Sequence, residues 1–554
     1  MKFDDERFQI MQVGRRVCMS EADHDVALED TDRVQGRTAL VRNVAAAVAL
    51  SGAVRSTLGP RGMDKMLVDD SGEVLVTNDG VTVLETAKVE HPTANLLIAA
   101  SSAQDRDARD GTTTTVILMA EMLQNALELV RTGVHPTIIV NGFQIANEEA
   151  LTELDRLARA PKNDAEHRAV VSTSLAGKID TKLVQHLTDL ALEAAATLIG
   201  EDGGEDLERL RIKRLQISDG VALESELIPG LFIAKTRTDI SSDAESEGGK
   251  IAIIDGALEV AKLEFDAHIE VHSAGVLRGF HERDEENLRT MVDQLSELDI
   301  ELLVVRDGIA DEVIPMLTAA GITAYRRFER EDLERLARMT GARMVRDTKR
   351  MTMGDVGIYT KRSERVIGGV KYTRIEADKG GAMTVLLKGT SPELREEVSR
   401  AFSDALGVAH RLNLNPSILP GGGATQTHLA RHLRSFATTQ SGREQMAIEA
   451  FAAALEIVPR TLAQNAGRNP IDEILALSAA QANDQDNGAW IGIDGIEGVV
   501  TRMDEMGIID PLFVISHAIS GATTAAISIL RIDDVLWAKQ GPQTPDWSNQ
   551  IDDN

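Results

Sequence analysis

Apolar residues recur at helical spacing through the first and last thirds of the chain. Val116, Leu123 and Val130 stand seven residues apart, which predicts a helix buried on one face directly after the run Arg109–Thr115. The segment Thr38–Val54 is almost entirely Ala, Val and Leu, so a helix buried nearly all round is predicted there. Further helices are predicted over Ala94–Asp105, Ile145–Leu157, Lys182–Ile199 and Met446–Leu462, and another begins at Ser391 and runs through Leu406. A last helix is predicted after Asp510-Pro511, with Asp510 as its cap and Pro511 at its first position.

The middle third alternates between short apolar runs and helical patterns. The runs are Ile251–Ile254, Glu301–Val305, Ile322–Tyr325 and Arg343–Val345, and the helical patterns are Asp284–Leu298, Asp311–Ala319 and Glu331–Thr340. Such alternation is typical of βαβ units on a parallel sheet, so a separate α/β domain is predicted. No G-x-G-x-x-G follows one of these strands, and a Rossmann site is therefore unsupported. The whole pattern favours one helical domain made of both chain ends, with the α/β domain inserted.

Charge and composition narrow the class of protein. The net charge of −29 comes from acids spread along the chain, and the pI is near 4.9. Such a surface argues against nucleic-acid binding, which needs a basic stripe. It suits a high-salt cytoplasm, although an ordinary acidic protein is an equal alternative.

Cysteine count and apolar run length bear on location. Cys18 is the single cysteine, which excludes an intrachain disulfide framework and a cysteine-rich zinc site. No apolar run is expected to be long enough to span a bilayer, and the N-terminus lacks the apolar core of a signal peptide. A cytoplasmic protein with no membrane partner is predicted.

Candidate chemistry lies at glycine-rich helix ends. The start of the helix after Asp110 combines unpaired N–H groups with hydroxyls, which is a natural anion site. A carboxylate there would repel a phosphate unless a cation bridged them, which indicates Mg²⁺ with a nucleotide. The alternative is that Asp110 is only an N-cap and the threonines are hydroxyl caps. Asp79 lies in a tight Asn-Asp-Gly turn, whose ordinary interpretation is an exposed turn.

Several segments together resemble the group II chaperonins, the thermosome family related to the eukaryotic cytosolic chaperonin. The resemblance is carried by Thr57–Val68, Thr77–Leu84, Glu90–Pro92, Asp110–Thr114, Pro420–Ala424, Gly442–Gly467 and Leu530–Val535. Their number, order and spacing make the probability of a chance agreement very small. They span most of residues 36–537.

The resemblance implies a multidomain α+β fold. Its parts would be an N-terminal arm (1–35), a mainly α-helical equatorial ATP-binding and ring-forming domain (36–145 and 408–540), a small α/β intermediate hinge domain (146–220 and 371–407), an inserted α/β apical substrate-binding and lid domain (221–370) and a polar tail (541–554). The hairpin predicted over Lys65–Thr77 would pair with a neighbouring subunit's chain ends, since two strands alone are marginal.

The implied function is that of an ATP-dependent protein-folding chaperone. The chain would be one subunit of a double ring whose ATP binding and hydrolysis drive lid closure around unfolded polypeptide. The ring would be homo-oligomeric or would mix paralogous subunits, with closed symmetry. Neither nucleic acid nor membrane is an expected partner.

The resemblance also implies site residues, carried over one by one. Thr57, Leu58, Gly59 and Pro60 would wrap the ATP phosphates, with Asn78 beside them, and Gly111, Thr112, Thr113 and Thr114 would bind phosphate. Asp110 would hold Mg²⁺, Lys178 would sense the terminal phosphate, Gly422 would lie against the adenosine and Asp510 would accept a ribose hydrogen bond. Asp79 and Asp404 would place and activate the attacking water, Asp404 only when the domains close.

Arg109 is the main departure, because this family nearly always has glycine there. Its bulk is expected to require φ below zero and so to reshape the loop, or its charge would face the phosphates. Either effect predicts weakened ATP turnover. Arg109 therefore favours an alternative, a structural ring subunit with weak or absent ATPase activity in a hetero-oligomeric chaperonin. The segment Asp239–Gly249, the polar lid region Leu263–Glu282 and the missing Gly-Gly-Met tail depart as well.

A third hypothesis is a small-molecule phosphotransferase that uses the Asp-Gly-Thr helix start. It needs an acceptor pocket with a dedicated base, and no such constellation is visible in the sequence.

Overall fold

The computed structural model describes residues 31–68, 72, 74–87, 89, 91–198, 211–239, 243–259, 274–378, 381–484 and 487–538. Most of the predicted N-terminal arm, the whole polar tail and the first part of the predicted lid lie outside the described residues.

The first part of the chain is helical apart from one strand and a hairpin. In order it contains β1 (Thr31–Gln35), α1 (Gly36–Arg55), β2 (Lys65–Val68), β3 (Val74–Thr77), α2 (Gly80–Thr86), α3 (Pro92–Ala108), α4 (Thr112–Arg131), α5 (Pro136–Leu157), α6 (Asp164–Leu175) and α7 (Thr181–Ala196). The hairpin β2–β3 is antiparallel, as predicted.

The middle part carries most of the strands. In order it contains β4 (Ile212–Ile217), β5 (Glu226–Pro229), β6 (Leu231–Ile233), β7 (Gly249–Ile254), α8 (Ala274–Glu297), β8 (Leu302–Val305), α9 (Val313–Ala319), β9 (Thr323–Tyr325), α10 (Arg330–Thr340), β10 (Met344–Val345), β11 (Gly357–Tyr359), β12 (Lys361–Ile367), β13 (Val370–Glu376) and β14 (Met383–Lys388).

The last part is helical again. In order it contains α11 (Pro392–Leu414), β15 (Ile418–Pro420), α12 (Ala424–Ala437), α13 (Glu444–Leu455), α14 (Ile457–Asn465), α15 (Pro470–Asn483), β16 (Ile491–Ile493), β17 (Val500–Arg502), α16 (Met503–Met506), β18 (Ile509–Pro511), α17 (Leu512–Leu530) and β19 (Asp534–Ala538). Strand β19 pairs antiparallel with β1, so the two ends of the described chain meet.

The two chain ends form one helical body, comprising α1–α5, α12–α17 and their connecting strands. Its central helix is α4, on which Val116, Leu123 and Val130 are all buried. Helices α1, α3, α13 and α17 pack around α4. Burial of apolar side chains on several sides explains why this helix is apolar over more than one stripe.

A smaller hinge region lies beside the helical body and comprises α6, α7, α11 and the sheet β4–β14–β5. Strand β14 runs parallel to β4 and antiparallel to β5. Helix α11 packs against α6 and α7. It begins where Pro392 occupies the first turn and the Ser391 hydroxyl accepts from the Leu394 N–H at 3.2 Å, a common helix start.

The remaining elements, β6–β13 with α8–α10, form an α/β region. Its main sheet has the order β10–β7–β8–β9, all parallel, with β11 antiparallel to β7. Ile251 and Ile253 enter one apolar cluster, whereas Ala252 and Ile254 enter another on the opposite face. A strand buried on both faces shows a continuous apolar run, and the predicted parallel sheet is present.

Two predicted helix boundaries are wrong. The helix predicted over Met446–Leu462 is two helices, α13 and α14, which meet at Glu456. Glu456 is 4% exposed and its carboxylate accepts from Arg434 at 2.6 Å and Arg460 at 3.0 Å, so a buried ion pair occupies the junction. Asp510 does not cap α17, because Asp510 and Pro511 belong to β18 and the helix begins at Leu512.

The expectation that no apolar run could span a bilayer is also wrong for α17. Its 19 residues are long and apolar enough by length and composition, with half of the apolar window buried. The helix packs against α3, α4 and α5. Ile519 and Ala522 on it are fully buried, so its apolar character is explained by its place in the core of the helical body.

Candidate functional site

A cavity of about 390 Å³ lies where the helical body meets the hinge region. Its walls include every site residue predicted from the sequence except Asp404: Thr57, Leu58, Gly59, Pro60, Asn78, Asp79, Asp110, Gly111, Thr112, Thr113, Thr114, Lys178, Gly422 and Asp510. Residues separated by hundreds of positions in the chain thus share one concave site, the usual form of a small-molecule site.

The turn after α1 interlocks with the loop between α6 and α7. Gly59 has φ of +82°, and its carbonyl lies directly against the Cα of Gly177, which has φ of +84°. A Cβ on Gly177 would collide with that carbonyl and approach the Cα of Pro60 to 2.9 Å. Both glycines are therefore required where helical body and hinge region touch.

The start of α4 has the features of an anion site. Gly111 is the N-cap in a left-handed conformation, with no side-chain capping bond. The alternative in which Asp110 is merely the N-cap is therefore wrong. The first intrahelical bond runs from the Thr115 N–H to the Gly111 carbonyl at 2.9 Å, which leaves the first-turn N–H groups of Thr112–Thr114 without intrahelical acceptors.

Asp79 does serve as a helix cap, and not as an exposed turn residue. Its Oδ2 accepts from the Thr82 N–H at 3.0 Å and the Thr82 hydroxyl at 2.6 Å, at the start of α2. A Cβ on the next residue, Gly80, would approach the Thr113 hydroxyl to 2.5 Å. The starts of α2 and α4 therefore touch, which brings Asp79 next to the anion site.

Asn78 connects this wall to the hinge region. Its Nδ2 donates to the Gly177 carbonyl at 2.7 Å. Its Oδ1 is buried without a protein partner. A buried polar atom without a partner beside a cavity is consistent with a site that receives a polar ligand or water.

Lys178 joins the carboxylates of the site. Its Nζ lies 2.8 Å from Asp404 Oδ2 and 3.8 Å from Asp110 Oδ1. Burial raises the pKa of Asp404 to about 7, although the Lys178 charge acts to lower it. Burial likewise raises the pKa of Asp110, again partly offset by Lys178. Asp404 is thus brought to the edge of the site through Lys178.

Gly422 and Asp510 also line the cavity. Strands β15 and β18 place Leu419 opposite Asp510. Gly422 has φ of +60°, and a Cβ there would lie 2.6 Å from the Ile493 carbonyl. Burial raises the pKa of Asp510 to about 7, and the nearby charge of Asp110 raises it further.

Asp110 is the predicted metal ligand. Among the described residues, no group of three or more His, Cys, Asp and Glu side chains is arranged to hold a metal ion. Mg²⁺ commonly uses one or two carboxylates together with substrate phosphates and water. The partly buried carboxylate of Asp110, beside an anion site, fits Mg²⁺ that arrives with a nucleotide.

Arg109 differs from the expectation. Its φ is +59°, in the left-handed region, and its N–H donates to the Asp105 carbonyl at 2.9 Å as the C-cap of α3. Arg109 does not line the cavity; its stem lies across Gly407 of α11. The prediction of φ below zero is wrong because the helix end requires this conformation and Gly407 leaves room for the side chain.

Sequence reasoning missed two residues on α3. Gln104 is fully buried, and its Nε2 donates to the Asp110 carbonyl at 2.8 Å and to the Val514 carbonyl at 3.2 Å. Burial raises the pKa of Asp105, and Asp79 raises it further, while Arg109 and Lys178 lower it. The adjacent polar residues Gln104 and Asp105, near the end of the helix before Asp110, were the signal in the sequence that could have indicated their part in the site.

The comparisons with known proteins agree with this geometry. Residues 50–540 match the TCP-1/cpn60 chaperonin family, and the chain belongs to that family. Its relatives include the thermosome subunit of Methanocaldococcus jannaschii, 37% identical over 95% of this chain and 97% of the relative.

Two further relatives are thermosome subunit 1 of Haloferax volcanii, 39% identical over 92% of this chain and 90% of the relative, and thermosome subunit beta of Thermococcus kodakarensis, 38% identical over 92% and 94%. The predicted resemblance to group II chaperonins, the thermosome family, is confirmed.

Proposed function

We propose that the chain is a subunit of an ATP-dependent double-ring chaperonin that encloses unfolded polypeptides. The observation that carries the proposal is the single cavity lined by Thr57–Pro60, Gly111–Thr114 and Lys178, together with Gly422. These groups come from both chain ends and the hinge region. Family membership over residues 50–540 supports the same conclusion.

The residues suggest a division of labour in nucleotide binding. The turn Thr57–Pro60 and the first-turn amides of Thr112–Thr114 would hold phosphates of ATP. Gly422 would lie against the adenosine, and Asp510 would accept from the ribose. Asp110 would hold Mg²⁺, which when bound neutralises phosphate charge.

Two carboxylates would handle the attacking water. Asp79 is fixed by its cap contacts to Thr82, so it can orient a water beside the start of α4. Asp404, whose pKa burial raises to about 7, has the proton affinity of an effective general base near neutral pH. Lys178 balances its charge and would face the terminal phosphate.

The position of these groups suggests how ATP is coupled to motion. Lys178 and Asp404 belong to the hinge region, whereas Asp79 and Asp110 belong to the helical body. The catalytic set is complete only when the hinge region lies against the helical body. Closure would therefore complete the site, and hydrolysis would change the contacts that hold it closed.

ATP hydrolysis by purified rings tests the proposal. Asp404→Ala and Asp79→Asn are each expected to lower kcat by about 10²–10⁴-fold, the usual range for a general base. Asp79→Asn keeps an oxygen acceptor for the α2 cap, so lost activity would not reflect a lost helix start. Asp155→Ala removes an exposed carboxylate of α5 and is the matched control. Normal hydrolysis in both site variants, with rings intact by negative stain, would show that the catalytic assignment is wrong.

The structural ring subunit is the second candidate, and Arg109 is the observation behind it. The prediction that Arg109 weakens turnover rests only on its replacing the family's glycine directly before Asp110, since Arg109 adopts a left-handed conformation and does not line the cavity. Comparison of Arg109→Gly with the unchanged single-subunit ring tests it. Turnover that is absent in the unchanged ring and gained in the variant would support the structural role.

The surroundings of the protein belong to the same proposal. We infer a cytoplasmic, halophilic setting from the net charge of −29, and a ring that either repeats one subunit or mixes paralogues. Negative-stain images with and without ATP, at high and low salt, test both points. Rings are expected to close with ATP and to dissociate at low salt, because self-repulsion is then unscreened; rings indifferent to salt would contradict the halophilic inference.

A further inference from the structure

Arg109 and Gly407 fit together across the boundary between helical body and hinge region. Arg109 follows the last residue of α3, and Gly407 lies in the middle of α11. A Cβ built on Gly407 would collide with the Cγ of Arg109 and lie 2.9 Å from its Cβ and 3.3 Å from its Cδ. The three atoms nearest to that Cβ all belong to Arg109, so this side chain lies directly against Gly407.

Each member of the pair is unfavourable by itself. A left-handed conformation costs a non-glycine residue roughly 1–2 kcal/mol. Glycine inside a helix costs about 1 kcal/mol relative to alanine. Arg109 has the first cost, with φ of +59°, and Gly407 has the second. That both occur at one contact indicates a required fit, since strained residues persist where the surroundings over-determine them.

The contact is next to the catalytic groups on both sides. Asp110 directly follows Arg109, and Gly407 is three residues after Asp404 on the same helix. Residues at i and i+3 share a helix face. Asp404 in turn lies 2.8 Å from Lys178.

A second contact extends the docking of α11 on the end of α3. Arg411, one turn beyond Gly407, donates through Nη2 to the Arg106 carbonyl at 3.4 Å. The same face of α11 therefore presents Asp404, Gly407 and Arg411 to the cavity edge and to α3.

We propose that Arg109 is a positioning residue: its stem, seated on Gly407, fixes how closely α11 approaches the loop of Asp110 and thereby where Asp404 lies. The inference rests on the proposed ATPase function. It predicts that Arg109 supports ATP turnover and does not weaken it, because removal of the stem would leave Asp404 less well placed.

Four chains test the proposal: the unchanged protein, Gly407→Ala, Arg109→Gly and the double variant. Gly407→Ala is expected to lower kcat by about tenfold or more, since a displacement near 1 Å at a catalytic group can cost about 10²-fold. KM for ATP is expected to stay within about twofold, because the phosphate turn is untouched. Arg109→Gly is expected to lower kcat several-fold.

The double variant carries the decisive comparison. Removal of the Arg109 stem takes away the three atoms nearest to the added methyl group, so Gly407→Ala is expected to change kcat by less than about threefold in the Arg109→Gly background. Arg109→Met retains a stem without charge and is expected to keep most of the activity. Gly521→Ala is the matched helix control, because a Cβ at Gly521 meets nothing within 4 Å.

The outcomes separate this inference from the proposed function. If the unchanged ring does not hydrolyse ATP, the proposed function fails, and if Asp404→Ala hydrolyses ATP normally, the catalytic assignment of Asp404 fails. If Asp404→Ala is inactive but Gly407→Ala is harmless, or equally harmful in both Arg109 backgrounds, the positioning role is overturned. Thermal midpoints of the same chains are measured in parallel. If the Arg109 and Gly407 substitutions depend on one another in the midpoints but not in kcat, the contact only stabilises the fold, and the positioning role is overturned.

Discussion

The two walls of the cavity hold their polar groups in different ways. On the wall of the helical body, the groups around the anion site are fixed by near neighbours: Asp79 by Thr82, and the start of α4 by Gly111. On the hinge wall, Lys178 and Asp404 are 226 residues apart and hold one another at 2.8 Å. A wall built from local turns is present whenever its helices are, whereas the hinge wall exists only when distant segments come together. We therefore expect changes in the hinge wall to affect turnover more than nucleotide binding.

Removal of the Lys178 charge tests the hinge wall most severely. Lys178→Met removes the cation that lies 2.8 Å from Asp404 and 3.8 Å from Asp110, so kcat is expected to fall by about 10²–10³-fold, the range for loss of one charge-stabilising group. Steady-state hydrolysis at saturating ATP measures it. Lys178→Arg keeps the charge and should retain far more activity. A kcat of Lys178→Met within twofold of the unchanged protein would mean that the hinge wall does not assist turnover.

A smaller effect is expected where the walls touch. Gly177→Ala and Gly467→Ala both put a side chain at positive φ, +84° and +79°. Only the first meets other atoms, since a Cβ at Gly467 has nothing within 4 Å. Both should lose about 1–2 kcal/mol of unfolding free energy from strain, measured by denaturant titration.

The difference between the two variants isolates the collision. Gly177→Ala alone should also weaken ATP binding, by about tenfold, because its methyl group pushes the carbonyl of Gly59 and so displaces the phosphate turn. Nucleotide titration measures this affinity. Equal affinities in the two variants would show that the interlock of Gly59 with Gly177 does not shape the site.

Local patterns explain which parts of the molecule were predictable from sequence. The hairpin β2–β3 and the helix α4 follow from alternation and heptad spacing within a few residues. The cavity-lining turns were found because a resemblance supplied the context that single motifs lack. Asp110 illustrates the limit: its N-cap interpretation could be excluded only when the structure showed Gly111 in that position.

The missed features depend on contacts between distant segments. Gln104 contributes to the site through hydrogen bonds to Asp110 and to Val514, which is 410 residues away. Helical periodicity gives no information about such partners. The break between α13 and α14 reflects the buried pairing of Glu456 with Arg434. The error at Arg109 has the same origin, because the space that admits its side chain is provided by Gly407.

The smallest expected effect concerns the pH dependence of the helical-body wall. Asp510 has a pKa of about 7 in the folded chain because of burial and Asp110, whereas an unfolded aspartate ionises near pH 4. The folded state therefore binds more protons between these values. The stability from Asp510 is fully present below pH 4 and is lost as pH rises through 7.

Asp510→Asn removes this titration, so its thermal midpoint should rise relative to the unchanged protein between pH 5 and pH 8, by the equivalent of about 2 kcal/mol after allowance for partial solvation. Asp504→Asn is the control, because the pKa of Asp504 is shifted in the opposite direction. Burial acts to raise the pKa of Asp504, but the pair with Arg502 lowers it. The difference in thermal midpoint between Asp504→Asn and the unchanged protein should therefore stay flat above pH 5. Melting curves at constant high salt, without nucleotide, compare the three chains. A flat difference for Asp510→Asn as well would mean that the Asp510 carboxyl is already ionised in the folded helical-body wall, and that burial beside Asp110 does not raise its pKa there.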